Sequence, residues 1–304
     1  MSLRVVFMGS PEFALHSLER LAEHYSIVGV VTQPDRPAGR GMSLTPPPVK
    51  LLANRLGVPT IQPTRLREPA AWEQLQAWEP DLIAVTAFGQ ILRPNVLDLP
   101  RFGCINVHAS LLPRWRGAAP IQAALLHGDA VTGVTIMRMD AGVDTGPMLA
   151  QREEPIGEND NAVSLAARLA RLGADLLVET LPAYLSGSLI PQPQEHEKAT
   201  RAVMIQKEAG LLNFDQPAQV LVWQVRAFQP WPGTFFAYQN GMIKVLRAHA
   251  ESGQDGAPGT HRVQAGLPAV NCTAGQLVLD EVQPPGKKPM AGDVFLRGAR
   301  GWLE

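Results

Sequence analysis

Two polar side chains stand at alternate positions in an otherwise apolar run of the chain. Asn106 and His108 lie in residues 104–108, a run with the composition of a buried β-strand. Alternate side chains of a strand share a face, so these two point the same way. Together they can donate hydrogen bonds to an oxygen that gains negative charge during a reaction. The alternative is that both are core residues with internal hydrogen-bond partners.

A segment with two carboxylates follows the next apolar run. Residues 139–146 contain Asp140 and Asp144 together with two glycines. A tight turn that contains Asp is the simplest interpretation. The functional interpretation is that Asp144 reaches His108, orients its ring and tunes its charge. The spacing in the sequence does not decide between the two.

The turn after the first apolar run argues against one large class of enzyme. Residues 9–13 are Gly-Ser-Pro-Glu-Phe, which lacks the G-x-G-x-x-G pattern that lets a backbone approach a dinucleotide pyrophosphate. Chemistry that uses NAD is therefore disfavoured. Ser10 as N-cap and Pro11 as the first helical residue predict a helix start here. The turn is either purely structural or places Ser10 at an active-site cleft.

Apolar runs alternate with helical patterns through the first 185 residues. Strands are predicted over 3–8, 27–32, 81–86, 104–108, 133–139 and 147–153. Helices are predicted over 11–23, 49–56, 69–78, 119–126 and 161–185, the last after a Glu-Asn-Asp-Asn start signal. This alternation predicts an α/β fold with a Rossmann-like, doubly wound, mostly parallel sheet. Such sheets bind ligands at the carboxyl ends of their strands.

The character of the chain changes after residue 187. Residues 188–207 hold Pro-Gln pairs and mixed charges without a period, which is typical of a linker. One helix is predicted over 220–228, and strands over 234–238, 242–247, 269–272 and 276–282, with Asn240-Gly241 as a hairpin signal. We therefore predict a catalytic domain over 1–187, a linker over 188–207, and a small C-terminal β-barrel, OB-like, over 208–304.

The bulk composition limits the classes of function. A chain of 304 residues exceeds what one core usually serves, which favours two domains. A net charge of −1 gives no support to nucleic-acid binding through a general basic field. The apolar runs are too short to cross a membrane, and the first is too short for a signal peptide. Cys104 and Cys272 form neither a disulfide framework nor a metal motif, so a reducing, cytoplasmic location is the simplest expectation.

Three motifs together resemble the folate-dependent formyltransferase family. They are residues 106–113 (Asn-Val-His-Ala-Ser-Leu-Leu-Pro), the Arg-Gly pair at 116–117, and residues 140–146. The resemblance implies that Asn106, His108 and Asp144 are catalytic, with the first two as donors to the formyl oxygen. It also implies 10-formyltetrahydrofolate as co-substrate, and no metal. The residues it places at the folate are Phe88, Gly89, Gln90, Ile91 and Leu92, then Ser110, Leu111, Leu112 and Pro113, and finally Asp140.

A long loop after the second predicted strand bears on the identity of the acceptor. Residues 33–50 carry three basic residues and one acid, for a net charge of +2. The loop is either a solvated surface loop or a binding element. It resembles the loop with which methionyl-tRNA formyltransferases enter the acceptor end of tRNA. This resemblance implies methionyl initiator tRNA as partner, a role in translation initiation, and phosphate contacts from Arg40 and Arg36.

The C-terminal domain carries two further motifs of the same branch. Residues 226–233 (Arg-Ala-Phe-Gln-Pro-Trp-Pro-Gly) and 285–288 (Pro-Gly-Lys-Lys) resemble it. The resemblance implies that Lys287 and Lys288 contact tRNA; otherwise they are an ordinary exposed pair. For Trp231 itself we predict packing in the core beneath a turn. Residues 208–304 contain eight basic and eight acidic side chains, so this domain is net neutral, and we expect a monomer.

Other functions share some of these motifs. A formyltransferase acting on a sugar-nucleotide amine would have the same catalytic strand, but the arginine-bearing loop argues against it. A glycinamide-nucleotide formyltransferase would need a glycine-rich first turn, and a formyl-folate hydrolase would use water in place of the amine. A non-catalytic RNA-binding protein is disfavoured by the low basicity of the chain.

Overall fold

The chain folds into two compact units. The computed structural model describes residues 3–38, 43–239, 241–253 and 256–303, so Arg40 and Asn240 lie outside the described residues. The first unit comprises Met1–Pro120, Val131–Pro155 and Ala166–Ala202. The second comprises Ile121–Ala130, Ile156–Leu165 and Val203–Glu304. Both units are therefore discontinuous in sequence.

The first unit is built on a mostly parallel sheet. Its strands are β1 (Arg4–Gly9), β2 (Ser26–Val31), β3 (Arg36–Ala38), β4 (Ser43–Thr45), β5 (Thr60–Ile61), β6 (Leu82–Thr86), β7 (Cys104–His108), β8 (Arg116–Gly117), β9 (Val131–Arg138), β10 (Met148–Pro155) and β11 (Arg201–Ala202). Seven of them form one sheet in the order β10-β9-β7-β6-β1-β2-β5. All neighbours from β7 to β5 are parallel, whereas β9 pairs antiparallel with both β7 and β10. The predicted Rossmann-like, mostly parallel sheet is confirmed.

Helices connect these strands. They are α1 (Leu15–His24), α2 (Pro48–Arg55), α3 (Pro69–Ala77), α4 (Pro94–Leu97), α5 (Pro120–Leu126) and α6 (Ala162–Leu185). The start of α6 follows the sequence signal, because Asn161 Oδ1 accepts hydrogen bonds from the backbone of Val163 at 2.9 Å and Ser164 at 3.0 Å. Within the described part of the chain, every helix is too short or too polar to span a membrane.

The predicted N-cap at Ser10 is wrong. The chain makes a 3₁₀ turn at Glu12–Ala14 before α1, and no side chain that the structure describes caps either helix start. Ser10 Oγ instead accepts hydrogen bonds from the backbone N–H of Gln33 at 3.0 Å and from Thr32 Oγ1 at 3.2 Å. The residues that follow β2 therefore bind the Ser10 hydroxyl in place of the helix start. This favours the interpretation that the turn is purely structural over the one that places Ser10 at an active-site cleft.

The core of the first unit explains why its loops meet at one edge. Strands β1, β6 and β7 are parallel neighbours and are almost entirely buried. Their following loops therefore leave the sheet at the same carboxyl edge. Gly9 allows this close packing, because a Cβ atom there would lie 2.7 Å from the carbonyl oxygen of Thr86. Cys104 packs in this core as a free thiol, and burial raises its pKa to about 12.

The second unit is built on an antiparallel sheet. Its strands are β12 (Thr234–Tyr238), β13 (Gly241–Glu251), β14 (His261–Gln264), β15 (Leu267–Asn271), β16 (Gln276–Gln283) and β17 (Met290–Ala291), and its helices are α7 (Ala218–Ala227) and α8 (Gly292–Gly298). The sheet order is β12-β13-β16-β15-β14. The rings of Tyr238 on β12 and His261 on β14 are 5.3 Å apart, so side chains of the two edge strands meet, as in a barrel.

Two short segments from earlier in the chain complete the second unit. Arg226, at the end of α7, donates to the carbonyl oxygens of Gly157 and Asp160, each at 2.6 Å. The ring of Trp223 lies against Gly128, where a Cβ atom would overlap it. These contacts explain why residues 121–130 and 156–165 cluster with the second unit.

The prediction that Trp231 packs in the core is wrong. Its side chain is 56% exposed, whereas Phe228 three residues earlier is 4% exposed. Phe228 follows directly on α7 and is buried. The chain then turns, closed by the N–H of Gly233 donating to the carbonyl of Phe228 at 2.9 Å, and the turn carries Trp231 outward.

Candidate active site

Asn106 and His108 lie at the carboxyl end of β7, an interior strand of the sheet. Strand β7 runs between β6, where Val85 pairs with Asn106, and β9, where Thr135 pairs with His108. Asn106 is 9% exposed and His108 is 6% exposed. Two polar side chains in such an apolar strand are costly unless they have partners or a ligand.

The ring of His108 faces acceptors at both nitrogens. Its Nε2 lies 3.0 Å from the carbonyl oxygen of Trp115, and because a carbonyl can only accept, Nε2 carries a proton. Its Nδ1 lies 3.6 Å from Asp144 Oδ1. The sequence-based interpretation that Asp144 reaches His108 agrees with this geometry. The two groups form an ion pair when the ring is protonated at both nitrogens.

Unlike His108, Asn106 has a side chain whose hydrogen-bonding groups have no protein partner among the described residues. Within the described part of the chain, no residue hydrogen-bonds its carboxamide. An amide that is nearly buried and yet unpaired has two N–H donors available for a ligand. This arrangement argues against two core residues with internal partners.

The loop that carries Asp144 is held by its own polar groups. Asp140 Oδ1 accepts hydrogen bonds from the N–H of Gly142 at 3.0 Å and from Thr145 Oγ1 at 2.6 Å. Asp144 has a φ of +52°, in the left-handed region that is uncommon for residues with a side chain. Its second carboxylate oxygen, Oδ2, accepts from the N–H of Gly117 at 2.9 Å. Asp140 therefore shapes the loop, and Asp144 projects from it toward His108.

The turn after β7 is held in place by buried hydrogen bonds. Ser110 is fully buried, with its hydroxyl donating to the carbonyl of Arg114 at 2.6 Å. Thr135 Oγ1 donates to the carbonyl of Ser110 at 2.7 Å and accepts from the N–H of Leu112 at 3.0 Å. Leu112 is buried as well, so Leu111 and Pro113, both half-buried, are the members of this predicted folate segment that remain accessible.

The loop after β6 alternates between the core and the surface. Phe88 and Leu92 are each 3% exposed and pack in the core, whereas Ile91 is 77% exposed and Gly89 has a φ of +78°. The Gln90 side chain is not free, since its Oε1 accepts from the backbone of residue 66 at 3.0 Å. The loop thus offers mainly backbone groups and the Ile91 side chain to a ligand.

The basic loop after β2 is anchored at its base. Lys50 Nζ contacts both oxygens of Asp35, at 2.9 and 2.8 Å, and Gln62 Nε2 donates to Asp35 Oδ1 at 2.7 Å. Arg36 is exposed and donates to the Gln33 side chain at 3.2 Å. Because Lys50 is paired, Arg36 is the exposed basic group that the structure describes in this loop; Arg40 lies outside the described residues.

The remaining predicted residues lie in the second unit. Lys287 and Lys288 are both exposed, in the turn between β16 and β17. Among the described residues, no group of three or more His, Cys, Asp or Glu side chains is arranged to hold a metal ion.

Sequence reasoning missed three contributors to the site. Trp115 supplies the carbonyl that orients His108, Gly117 supplies an N–H to Asp144, and Gln194 contacts the backbone of the Asp144 loop. The Arg-Gly pair at 116–117 belongs to a recognised motif and could have drawn attention to its neighbours. Gln194 is 50 residues from Asp144, and nothing in the sequence signals their proximity.

The sequence matches known protein families over most of its length. Residues 3–181 match the family "Formyl transferase", and residues 204–300 match "Formyl transferase, C-terminal domain". The chain is 51% identical over 298 residues to a methionyl-tRNA formyltransferase from Myxococcus xanthus, covering 97% of this chain and 95% of that protein. It is 46% identical over 299 residues to one from Citrifermentans bemidjiense, covering 97% and 93%.

Solved structures agree on the fold. An N-formyltransferase from Helicobacter canadensis, solved with folinic acid and dTDP-3-aminofucose, has a TM-score of 0.69 at 16% identity and covers 93% of this chain and 99% of its own. An identity this low supports a shared fold and no more. The family matches and the curated relatives extend over nearly the whole sequence, and on that basis this chain belongs to the formyltransferase family.

Proposed function

We propose that this protein transfers the formyl group of 10-formyltetrahydrofolate to the α-amine of methionyl initiator tRNA, by direct attack of the amine. The proposal draws on membership of the family and on curated relatives named methionyl-tRNA formyltransferase that match it from end to end. Such a protein acts in translation initiation, in the cytoplasm. The observation that carries the proposal is the unpaired carboxamide of Asn106 beside the His108–Asp144 pair.

The chemistry needs donors at one oxygen. The amine nitrogen forms a bond to the formyl carbon, and the formyl oxygen gains negative charge. Asn106 donates an N–H to that oxygen, and His108 lies beside Asn106 on the same face of β7. The Nε2 of His108 contacts the carbonyl of Trp115 and its Nδ1 faces Asp144, so the ring is oriented from both sides.

The reaction also moves one proton. The attacking amine loses a proton, the bond between the formyl carbon and the folate N10 breaks, and N10 gains a proton. Asp144 is the base nearest to His108 and accepts the amine proton, directly or through a water molecule. The products are the formylated aminoacyl-tRNA and tetrahydrofolate, with no change of oxidation state and no metal.

The folate is bound by the two loops at the carboxyl edge. The loop of Phe88, Gly89, Gln90, Ile91 and Leu92 presents backbone groups, and Leu111 and Pro113 present apolar surface. This combination suits a flat heterocycle with a few polar edges. Asp140 acts on the folate through the loop that it shapes.

The tRNA is bound by basic side chains from both units. Arg36 and Arg40 contact phosphates near the acceptor end, and Lys287 and Lys288 contact phosphates from the second unit. The anchoring of Asp35 by Lys50 and Gln62 presents Arg36 on a loop with a fixed base.

The decisive experiment is formyl transfer from 10-formyltetrahydrofolate to methionyl initiator tRNA. His108→Ala should abolish turnover, and Arg40→Ala should raise the KM for tRNA while leaving the KM for folate unchanged. Two controls match these changes: His16→Ala, at a half-exposed position on α1, and Arg55→Ala, at an exposed position that ends α2. Both controls should behave like the wild type.

Other outcomes would redirect the assignment. Formate released in proportion to folate consumed, with tRNA unchanged, would indicate a hydrolase. Formylation of a sugar-nucleotide amine in preference to tRNA would keep the catalytic residues and overturn the acceptor. Wild-type protein without any formyl transfer would overturn the proposal as a whole.

A further inference from the structure

Gln194 is a buried side chain that no sequence motif explains. It lies beyond α6, in the segment predicted as a linker, and is 5% exposed. All of its described partners belong to the first unit. Buried amides of this kind are ordinarily held by several hydrogen bonds, and Gln194 has four.

The amide nitrogen of Gln194 holds the loop of the proposed base. Its Nε2 donates to the carbonyl oxygen of Asp144 at 2.9 Å and to that of Gly146 at 2.7 Å. Both carbonyls follow directly on the left-handed φ at Asp144, so these bonds hold the chain where it leaves that conformation. Such a conformation persists in a residue with a side chain only when its surroundings hold it.

The amide oxygen of Gln194 is held in turn by Arg116. The guanidinium donates to Oε1 from Nε at 3.0 Å and from Nη2 at 2.6 Å. Because arginine is only a donor, the oxygen of the amide must face it, and the NH₂ group must face the two carbonyls. Arg116 therefore sets the orientation in which Gln194 can hold Asp144.

The same segment holds the opposite side of the Asp144 carboxylate. The N–H of Arg116 donates to the carbonyl of Thr200 at 2.9 Å, and the N–H of Ala118 donates to that of Ala202 at 2.9 Å. Between them lies Gly117, whose N–H donates to Asp144 Oδ2 at 2.9 Å. Residues 194–202 thus support both the backbone and the side chain of Asp144.

We propose that Gln194 is a positioning residue for Asp144: it fixes the backbone of the Asp144 loop so that the carboxylate stays beside His108. The proposal rests on the proposed function for its effect on rate, since Asp144 is the proton acceptor there. Gln194 touches neither substrate nor reacting atoms in this scheme. Its removal should therefore lower kcat and leave the KM values for folate and tRNA within about twofold of the wild type.

Two variants separate the bonds that Gln194 makes. Gln194→Glu keeps the acceptor for Arg116 and removes the donor to the two carbonyls, whereas Gln194→Leu removes both. The matched control is Gln192→Leu, two residues earlier, because the Gln192 side chain is exposed and, among the described residues, donates only to the carbonyl of Ile190, at 3.1 Å. We expect kcat to fall about 10²-fold in both Gln194 variants, since misplacing a catalytic group by about 1 Å can cost that much.

A second measurement does not depend on catalysis. The amide of Gly117 is hydrogen-bonded to the Asp144 carboxylate, so its hydrogen exchange, followed by NMR, reports on whether that carboxylate stays in place. Exchange at Gly117 should accelerate in Gln194→Leu and Gln194→Glu, and remain at the wild-type rate in Gln192→Leu. Circular dichroism and the Tm of each variant identify any general loss of folding.

The outcomes separate this inference from the proposed function. Wild-type kcat and unchanged Gly117 exchange in both Gln194 variants would overturn the positioning role while leaving the formyl-transfer proposal intact. A fall in kcat matched by an equal fall in Gln192→Leu, or by lost folding, would also overturn it. If the wild type transfers no formyl group but Gly117 exchange still accelerates, the proposed function fails and the positioning of Asp144 stands.

Discussion

At the scale of single residues, the two polar groups of β7 differ in how their hydrogen bonds are used. His108 is held by Trp115 and faces Asp144, so its orientation is set before any substrate binds. The carboxamide of Asn106 has no partner in the described part of the chain. The difference assigns His108 a fixed orientation and Asn106 a donor that is satisfied only when a ligand oxygen is present.

Asn106→Ala should therefore affect the transition state far more than folding. We expect kcat to fall about 10²–10³-fold, the effect of removing one donor to a developing oxyanion, with the Kd for folate nearly unchanged. Steady-state kinetics and a folate-binding titration measure the two quantities. Asn95→Ala, at an exposed position, is the control. Turnover equal to that of the wild type would remove Asn106 from the mechanism.

The neighbouring aromatic residues Phe228 and Trp231 should differ sharply in their contribution to stability. Phe228→Ala removes a ring that is 4% exposed and should lower the free energy of unfolding by about 3–5 kcal/mol. Trp231→Ala removes one that is 56% exposed and should cost about 1 kcal/mol. Urea unfolding of both variants tests the contrast. Equal losses would mean that Trp231 packs in the core after all.

At the scale of elements, the base of the loop after β2 depends on one carboxylate. A hydrogen bond from Gln62, and then the ion pair with Lys50, lower the pKa of Asp35. A lowered folded-state pKa means that the folded protein prefers the ionised carboxylate. The resulting stabilisation is present above the unfolded pKa of about 3.9 and is lost as the pH falls through the folded pKa.

Asp35→Asn should show this pH dependence directly. Above about pH 5 the variant should have a lower Tm than the wild type, because the Lys50 ion pair is missing, and the gap should close below about pH 4. The effect should be small, since the pair is open to solvent. Thermal unfolding at a series of pH values measures it. A gap that persists unchanged in acid would show that Asp35 does not act through its charge.

At the scale of the whole molecule, charge limits how this protein can hold RNA. The net charge is −1, and residues 208–304 carry equal numbers of basic and acidic side chains. Binding by a general basic surface is therefore weak, and the affinity must come from a few placed contacts. Lys287 and Lys288 are exposed and suited to that role.

The double variant Lys287→Ala/Lys288→Ala should flatten the salt dependence of tRNA use. Each lost phosphate contact should reduce the slope of log KM against log salt by about one, so the pair should reduce it by about two. Lys198→Ala, an exposed lysine paired with Glu195, serves as the control. A slope identical to that of the wild type would exclude both lysines from the tRNA contact.

Much of this protein could be predicted from its sequence, because local patterns were strong where burial is complete. Strand β7 has the predicted bounds, since five consecutive buried residues leave little choice of structure. The mostly parallel sheet, the long helix α6 with its Asn161 cap, and the grouping of Asn106 with His108 followed in the same way. Strand β14 and helix α8 were missed, because both are short and their exposed positions carry no clear period.

Only the tertiary structure determined the positions and hydrogen-bond partners of side chains whose contacts lie far away in sequence. Ser10 has the sequence of a helix cap, yet its hydroxyl binds the end of β2. Trp231 is a large aromatic residue of the kind usually found in a core, yet a turn places its side chain at the surface. Gln194 and Asp144 are 50 residues apart and meet only because the chain returns to the sheet edge after α6. Sequence patterns indicate which residues prefer burial and which local structure they favour. They do not indicate which residues distant in sequence will form hydrogen bonds with a given side chain.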